Sequence, residues 1–328
     1  MRLIAYGSEG IHEIPSAQIS DVAAAYGQWP VVWLNVDGMG DPELLRQIAA
    51  IFRLHPLAME DVCNLYQRPK LEPYSDYFYL VARMADPSDA LNTEQLSLFF
   101  GARFVITFQE EVGDCFEPIR ERIRGDKGRI RRAASDYLTY ALLDAVIDDF
   151  FPLLERSVTS AEAVEEHIIV KGDRKGVNDL HSIGQELLSV RRAIWPLRDA
   201  ITTMGRESSP LIHAETRLYL RDCHDHTVQL IDTVESYRDL LSSLMEVHIS
   251  LSNYRLNDIM RTLAIISVLF MPLNFIAGVY GMNFSPEASR WNMPELNWTY
   301  GYPFALSLMA VFSMALLVWF GRKGWMRG

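Results

Sequence analysis

The stretches Thr262–Tyr280, TLAIISVLFMPLNFIAGVY, and Phe304–Phe320, FALSLMAVFSMALLVWF, decide how the rest of the chain is read. Each is close to the ~20 apolar residues that a helix needs to cross ~30 Å of hydrocarbon. Between them lies a short polar segment that opens with Gly281-Met282-Asn283. Two spans, with everything else of soluble character, describe a large water-facing body hung from a small membrane anchor. Such a layout points to passage or signalling across a bilayer rather than to catalysis.

Charge sets the expected orientation. Arg255 and Arg261 precede the first span, and Arg322, Lys323 and Arg327 follow the second. The connection Gly281–Tyr302 carries one basic residue, Arg290, against Glu287 and Glu295. The positive-inside rule then places both termini in the cytoplasm and the connection outside. The opening residues, Met1-Arg2-Leu3-Ile4-Ala5-Tyr6-Gly7, lack the apolar core and small-residue cleavage site of a secretory signal. Over 328 residues the formal net charge is -11, which argues against nucleic acid and suits a protein that handles cations. Cys63, Cys115 and Cys223 are odd in number and widely spaced, so reduced thiols are expected rather than a disulfide framework.

The body reads as α/β at first and then as helix alone. Val31–Val36, Tyr77–Met84 and Leu96–Phe108 are apolar, rich in β-branched and aromatic residues, and read as buried strands. Pro42–Phe52 is a helix with Asp41 as N-cap and proline at its first position. Asp136–Glu155 is apolar at helical spacing, and Ser157–Val170 and Val177–Gly205 are helices joined by a turn, the second interrupted or kinked at Pro196. Leu211–Tyr280 holds no proline before Pro272 and no glycine before Gly278, the pattern of one very long helix entering the membrane unbroken. The expected organisation is a cytosolic α/β domain over 1–155, a helical hairpin over 156–209, the cytosolic part of a stalk helix over 210–260, a pore-lining span over 261–281, an outward loop over 282–302, a second span over 303–321 and a basic tail over 322–328.

Read at alternating steps of three and four, the long helix carries a row of small, polar or thioether residues. The row is Ser243, Glu246, Ser250, Asn253, Asn257, Met260, Ala264, Ser267, Met271, Asn274, Gly278, and beside it runs an apolar row, Leu240, Leu244, Val247, Leu251, Tyr254. A 3.5-residue period over about five heptads implies a left-handed supercoil of several copies, apolar rows packed between protomers and the polar row on a central axis. An unpartnered amide in mid-membrane is costly, and a wet axis removes that cost for Asn274. Small and polar residues also serve as plain helix-packing seams in membranes. A seam has no reason to remain polar through the cytosolic part, and the continuity of the row favours a pore.

The ordered series Tyr280-Gly281-Met282-Asn283-Phe284, Met293-Pro294-Glu295-Leu296, Trp298, Tyr300-Gly301-Tyr302-Pro303, then a second span with a basic tail, resembles the CorA family of divalent-cation channels. Upstream, Glu60-Asp61-Val62, Gln67-Arg68-Pro69-Lys70-Leu71-Glu72, Phe108-Gln109-Glu110, Ile194-Trp195-Pro196-Leu197-Arg198 and Phe270-Met271-Pro272 extend the resemblance over the whole chain. It implies a homopentameric funnel in the inner (plasma) membrane, first spans lining a pore and second spans ringing them. It implies transport of Mg2+, with Co2+ and Ni2+ as further substrates, no cofactor, and Mg2+ again as regulatory ligand. Gly281, Met282 and Asn283 would form the outer selectivity ring. Asn257, Met260, Leu263, Met271 and Asn274 match pore-lining positions, joined by Ser267 and Gly278 from the row. Glu246 matches an acidic position of the regulatory site between protomers, and Asp86 and Asp89 lie in the loop where its facing carboxylate is expected. The connection Ser285–Asn292 is longer than the family's compact loop and carries Arg290, and the basic tail is sparse.

Other groupings carry less. In Cys223-His224-Asp225-His226 the two histidines point ~200° apart on a helix and cannot share one ion. Asp144 and Asp148 share a helix face, read as solvated or arginine-paired, and Glu162, Glu165 and Glu166 as a wet helix face that Arg191 and Arg192 could pair with. Nothing resembles a nucleophile beside its base or a phosphate-binding P-loop, so an enzyme is not expected. The alternatives to a Mg2+ channel are a zinc transporter of the ZntB type and a membrane-tethered regulatory domain with no transport.

Overall fold

The computed structural model describes residues 1–86, 92–170, 174–285, 287–289, 291–325; Asp89, Arg290 and Arg327 fall outside them. The chain divides into two compact units, Met1–Met245 and Glu246–Gly328.

The first unit is built on a seven-stranded sheet. Its strands are β1 (Arg2–Gly7), β2 (Gly10–Ile14), β3 (Val31–Asp37), β4 (Lys70–Pro73), β5 (Tyr77–Ala85), β6 (Thr93–Gly101) and β7 (Phe104–Gln109), in the order β2-β1-β3-β7-β6-β5-β4. Only β3 and β7 pair in parallel; the other ladders are antiparallel. The period of two sorts each strand onto two cores. Val32, Leu34, Val36, Tyr79, Val81, Ile106 and Phe108 face one cluster, shared with α1 (Ile19–Ala25), α2 (Pro42–Phe52) and α3 (Pro56–Cys63). Val31, Trp33, Phe78, Leu80, Phe100 and Val105 face the other. That second cluster is shared with α4 (Glu117–Arg124), α5 (Ser135–Asp148), α6 (Phe150–Val170), α7 (Arg174–Arg206) and the start of α8 (Ala214–Tyr280).

Local chemistry explains most boundaries. The backbone N–H groups of Glu43 and Leu44 donate to Asp41 Oδ1 at 2.9 and 3.2 Å, capping α2 as its sequence anticipates. The apolar run Leu96–Phe108 is two strands, because the chain reverses at Ala102-Arg103. The helical run Asp136–Glu155 is also divided: α5 ends at Asp148 and α6 starts at Phe150. α7 continues through Pro196. The start of α8 is tied to α5, with the His213 N–H donating to Asp136 Oδ2 at 2.8 Å. Cys63, Cys115 and Cys223 are free thiols.

One interior region is polar. The Trp33 indole N–H donates to Thr107 Oγ1 at 3.1 Å, whose hydroxyl donates to Asn35 Oδ1 at 2.6 Å. Against Trp33 lies the Arg120 guanidinium, 5.3 Å from the ring centroid and ion-paired with Asp114. Both side chains of that pair are about one-twentieth exposed, at 6% and 5%.

In the second unit, the rest of α8 is followed by a 3-10 turn over Pro294–Asn297 and by α9 (Gly301–Arg322). Phe270, Met271, Phe275, Val311, Phe312 and Met314 are exposed. A single chain thus leaves its most apolar helices unburied, which in water is untenable and in lipid is expected. By length and composition, two helices, α8 and α9, are long and apolar enough to cross a membrane.

Arg120→Ala strands the Asp114 carboxylate in the interior and is expected to cost about 3–5 kcal/mol. The check is the denaturant midpoint of the purified protein, with the double variant Arg120→Met/Asp114→Leu recovering much of the loss.

Candidate functional site

The polar row lies on one continuous helix, since α8 runs unbroken from Ala214 to Tyr280. Every member of the row from Ser243 to Gly278 is exposed. The partly covered positions of the same helix, Arg261, Ile265, Leu269, Leu273, Ile276 and Tyr280, recur on another face. On α9 the covered positions are Ala305, Met309, Ser313, Leu316 and Phe320, also at helical spacing. The Asn257 and Asn274 carboxamides make no hydrogen bond among the described residues, so their capacity is available to water, an ion's hydration shell or a second copy. Met260, Leu263 and Met271 are exposed apolar residues on or beside the row.

The apolar neighbour row behaves differently from the expectation of packing between copies. Leu244 is 4% exposed and belongs to the core of its own unit, with Leu240 packed against it. Only the later members Val247 and Tyr254 remain exposed.

Gly281-Met282-Asn283 follows the last helical residue directly. The Gly281 N–H still donates to Ala277 O, at 2.9 Å, and the Met282 N–H to Val279 O, at 3.2 Å. A Cβ at Gly281 would sit 3.1 Å from the Ala277 carbonyl, tighter than ordinary contact, so the compact closure suits glycine. Met282 and Asn283 are exposed beyond it. In the connection, the Gly301 N–H donates to Trp298 O at 2.9 Å and the Trp298 N–H to Glu295 O at 3.2 Å. Trp298 packs on Phe304, 5.8 Å between ring centroids.

The acidic residues assigned to regulation fall in different settings. Glu246 is exposed on α8. Asp86 lines a cleft of about 610 Å3 in the first unit with Glu94, Glu110, Glu111, Asp114 and Asp149, and with one cation, Arg83. Burial raises the pKa of Glu94 and of Asp149, so the cleft already disfavours its own negative charge. A hard cation bound by carboxylate oxygens would relieve that.

A second grouping joins Asp144 and Asp148 to a residue that the sequence does not place beside them. Asp144, Asp148 and His226 bring one ligand atom each within 4.8 Å of one another. His226 Nδ1 lies 3.7 Å from Asp144 Oδ1 and 3.8 Å from Asp148 Oδ1, buried and without a hydrogen-bond partner. Asp144 also meets the Tyr140 hydroxyl at 3.4 Å and Cys223 Sγ at 3.6 Å. Asp144 is partly buried against this imidazole, whereas Asp148 remains exposed, as a solvated face requires. His224 turns instead to Asp225, at 3.3 Å, so the two histidines do not converge, as their spacing requires. Arg191 pairs with Glu235 at 2.6 Å rather than with the glutamates of α6. Only the Asp144/Asp148 spacing is visible locally; the imidazole arrives through tertiary packing.

Burial and the neighbouring Asp148 raise the Asp144 pKa. Ionised Asp144 thus opposes folding: the penalty is absent below the ordinary aspartate range, grows between that range and the raised folded value, and is complete above it. In chelated buffer, Asp144→Asn is expected to have a higher melting temperature than the parent near neutral pH, with the gap closing as pH falls towards the aspartate range. Thermal melts across pH read this directly.

The family model described as CorA-like Mg2+ transporter protein matches residues 30–323. The cobalt/magnesium transport protein CorA of Thermotoga maritima is 38% identical over 98% of this chain and 91% of its own length. A putative metal ion transporter, YfjQ, of Bacillus subtilis is 36% identical over 89% of each chain. Among solved structures, the complete CorA magnesium transporter of Methanocaldococcus jannaschii superposes with a TM-score of 0.84 over 99% of this chain and 98% of its own, at 20% identity.

Proposed function

The chain belongs to the CorA family, whose members are transporters and not enzymes, and on that premise we propose that it conducts Mg2+ through a membrane, with Co2+ and Ni2+ as further substrates. The observation that carries this reading is the polar row of α8, exposed along its whole length while other faces of the helix are partly covered. In the proposed assembly five copies set these rows around a wet axis in the inner membrane, with both termini cytoplasmic. The number five rests on the family.

The chemistry is consistent with a hydrated ion. Mg2+ sheds its water reluctantly, so a ring of Asn283 carboxamides is suited to accept hydrogen bonds from that water rather than to replace it. Neutral acceptors attract a dication without trapping it, whereas carboxylates in the same place would hold it. Asn274 and Asn257 continue the hydrophilic wall inward. Met260 and Leu263, repeated around the axis, supply an apolar constriction that can close by dewetting. A membrane potential, negative inside, draws a dication inward with about 4.6 kcal/mol per 100 mV, twice the ~2.3 for a single charge. Mg2+ bound at Glu246 and at Asp86, with Asp89 three residues on in the sequence, would hold the cytosolic ring closed until internal Mg2+ falls, a ligand-biased equilibrium.

Reconstitution in liposomes tests the reading. Mg2+ entry is expected, and Asn283→Ala is expected to abolish or strongly reduce it. Zn2+ entry coupled to protons would favour the zinc transporter instead, and no flux of any divalent ion would leave only a tether. In patch recordings, Glu246→Lys is expected to weaken inhibition by internal Mg2+; unchanged inhibition removes Glu246 from the sensor.

A further inference from the structure

Gln67-Arg68-Pro69 and Trp195-Pro196 have no part in the ion path, yet they meet across one cavity of the first unit, about 930 Å3 in volume. Its wall is formed by the segment before β4, by β5 and by α7, and it carries Arg68, Arg83, Arg191 and Arg192. No carboxylate lines it among the described residues. Four guanidinium groups around one unlined-by-acid cavity are unexpected in a chain of net charge -11.

The partners of these arginines show which charges remain uncompensated. Arg191 is neutralised by Glu235, Nε to Oε1 at 2.6 Å, and lies over the Trp195 ring at 4.9 Å. Arg83 is half-buried, also lines the acidic cleft, and among the described residues donates to neutral acceptors: Nε to Thr93 Oγ1 at 3.0 Å, Nη1 to Leu65 O at 2.9 Å, and Nη2 to Thr93 O. Those bonds fix the guanidinium against the wall while leaving its charge in place; Glu94 and Glu110 act on it without forming an ion pair. Arg68 and Arg192 are exposed and form no ion pair among the described residues. Three positive charges, from three separate elements, thus line one space with no ion-paired anion among the described residues.

The volume lies in the range of small-molecule sites, about 300–1,000 Å3. Guanidinium forks match carboxylate and phosphate oxygens bidentately, and several forks on different walls suit a ligand with several phosphates. Tyr66, 95% exposed on the same wall, offers a free aromatic face for a planar ring. We propose that this cavity binds a nucleoside polyphosphate, its phosphates on Arg68, Arg83 and Arg192 and its base towards Tyr66.

The test uses the full-length chain purified in detergent, at low ionic strength with chelator present, titrated with a fluorescent trinitrophenyl analogue of ATP. Saturable binding is expected, displaced by ATP and by inorganic tripolyphosphate but not by adenosine. Arg68→Glu and Arg192→Glu, both at exposed positions, should each weaken affinity about tenfold or more, the scale of one charge-assisted hydrogen bond. Arg46→Glu, an exposed arginine elsewhere in the same unit, should leave it unchanged. The proposal is overturned by no saturable binding, by equal binding to the Arg68 and Arg192 variants, by an equal loss in Arg46→Glu, or by displacement with adenosine alone. A cavity already closed by an acidic segment of a second copy would give the first of these results.

Discussion

Hydrocarbon offers no water to a backbone, so a chain that leaves the cytosol for lipid must carry its hydrogen bonds with it. α8 does so by never interrupting its ladder between Ala214 and Tyr280. The exception is local: Pro272 has no N–H, and the Val268 carbonyl loses its usual donor. Such gaps are tolerated in spans because neighbouring groups and small adjustments satisfy the freed carbonyl. With the backbone closed upon itself, the side chains are released to differ by face. One face of α8 can then be greasy and another polar without any cost to the helix that bears them.

The sheet of the first unit solves a related problem in water. With helices on both faces, its central strands are apolar on both sides, as the buried run Val31–Val36 illustrates. Where polar groups enter that interior they do so in linked sets. Trp33, Thr107 and Asn35 form one, and Arg120 with Asp114 closes another over the same indole. Most groups there have a partner of matching chemistry, the usual condition for burial, while Arg120 Nε and the Tyr6 hydroxyl are buried without a hydrogen bond among the described residues.

How much of this was legible in the sequence depended on range. The α2 cap was readable because Asp41-Pro42 is a local signal, and α8 and the spans because periodicity and length are enough. The family resemblance added expectations that no spacing can give, five copies and Mg2+ as the ion. β2 and β4 escaped notice because an edge strand such as Lys70–Pro73 is short and only partly buried. β1 is a buried run without the alternation that marks a half-exposed strand. The break at Asp149 was hidden by apolar spacing that continues across it, although Pro152 is at home in the first turn of a new helix. The meeting of His226 with Asp144 and Asp148, and of Arg68 with Arg192, joins residues far apart in the chain. No local pattern announces such neighbours.

The exposed carboxamide of Asn274 has a bearing on biogenesis. If the copies assemble as proposed, a newly inserted subunit without companions presents that amide to acyl chains, where an unbonded polar group costs about 2–7 kcal/mol. An orphan copy is therefore a poor resident of the membrane, prone to shift depth or to be cleared. Once the amide faces water or a neighbour, the strain is gone. The same side chain that suits an ion path would then also discriminate finished complexes from stray subunits, with no separate quality-control signal required.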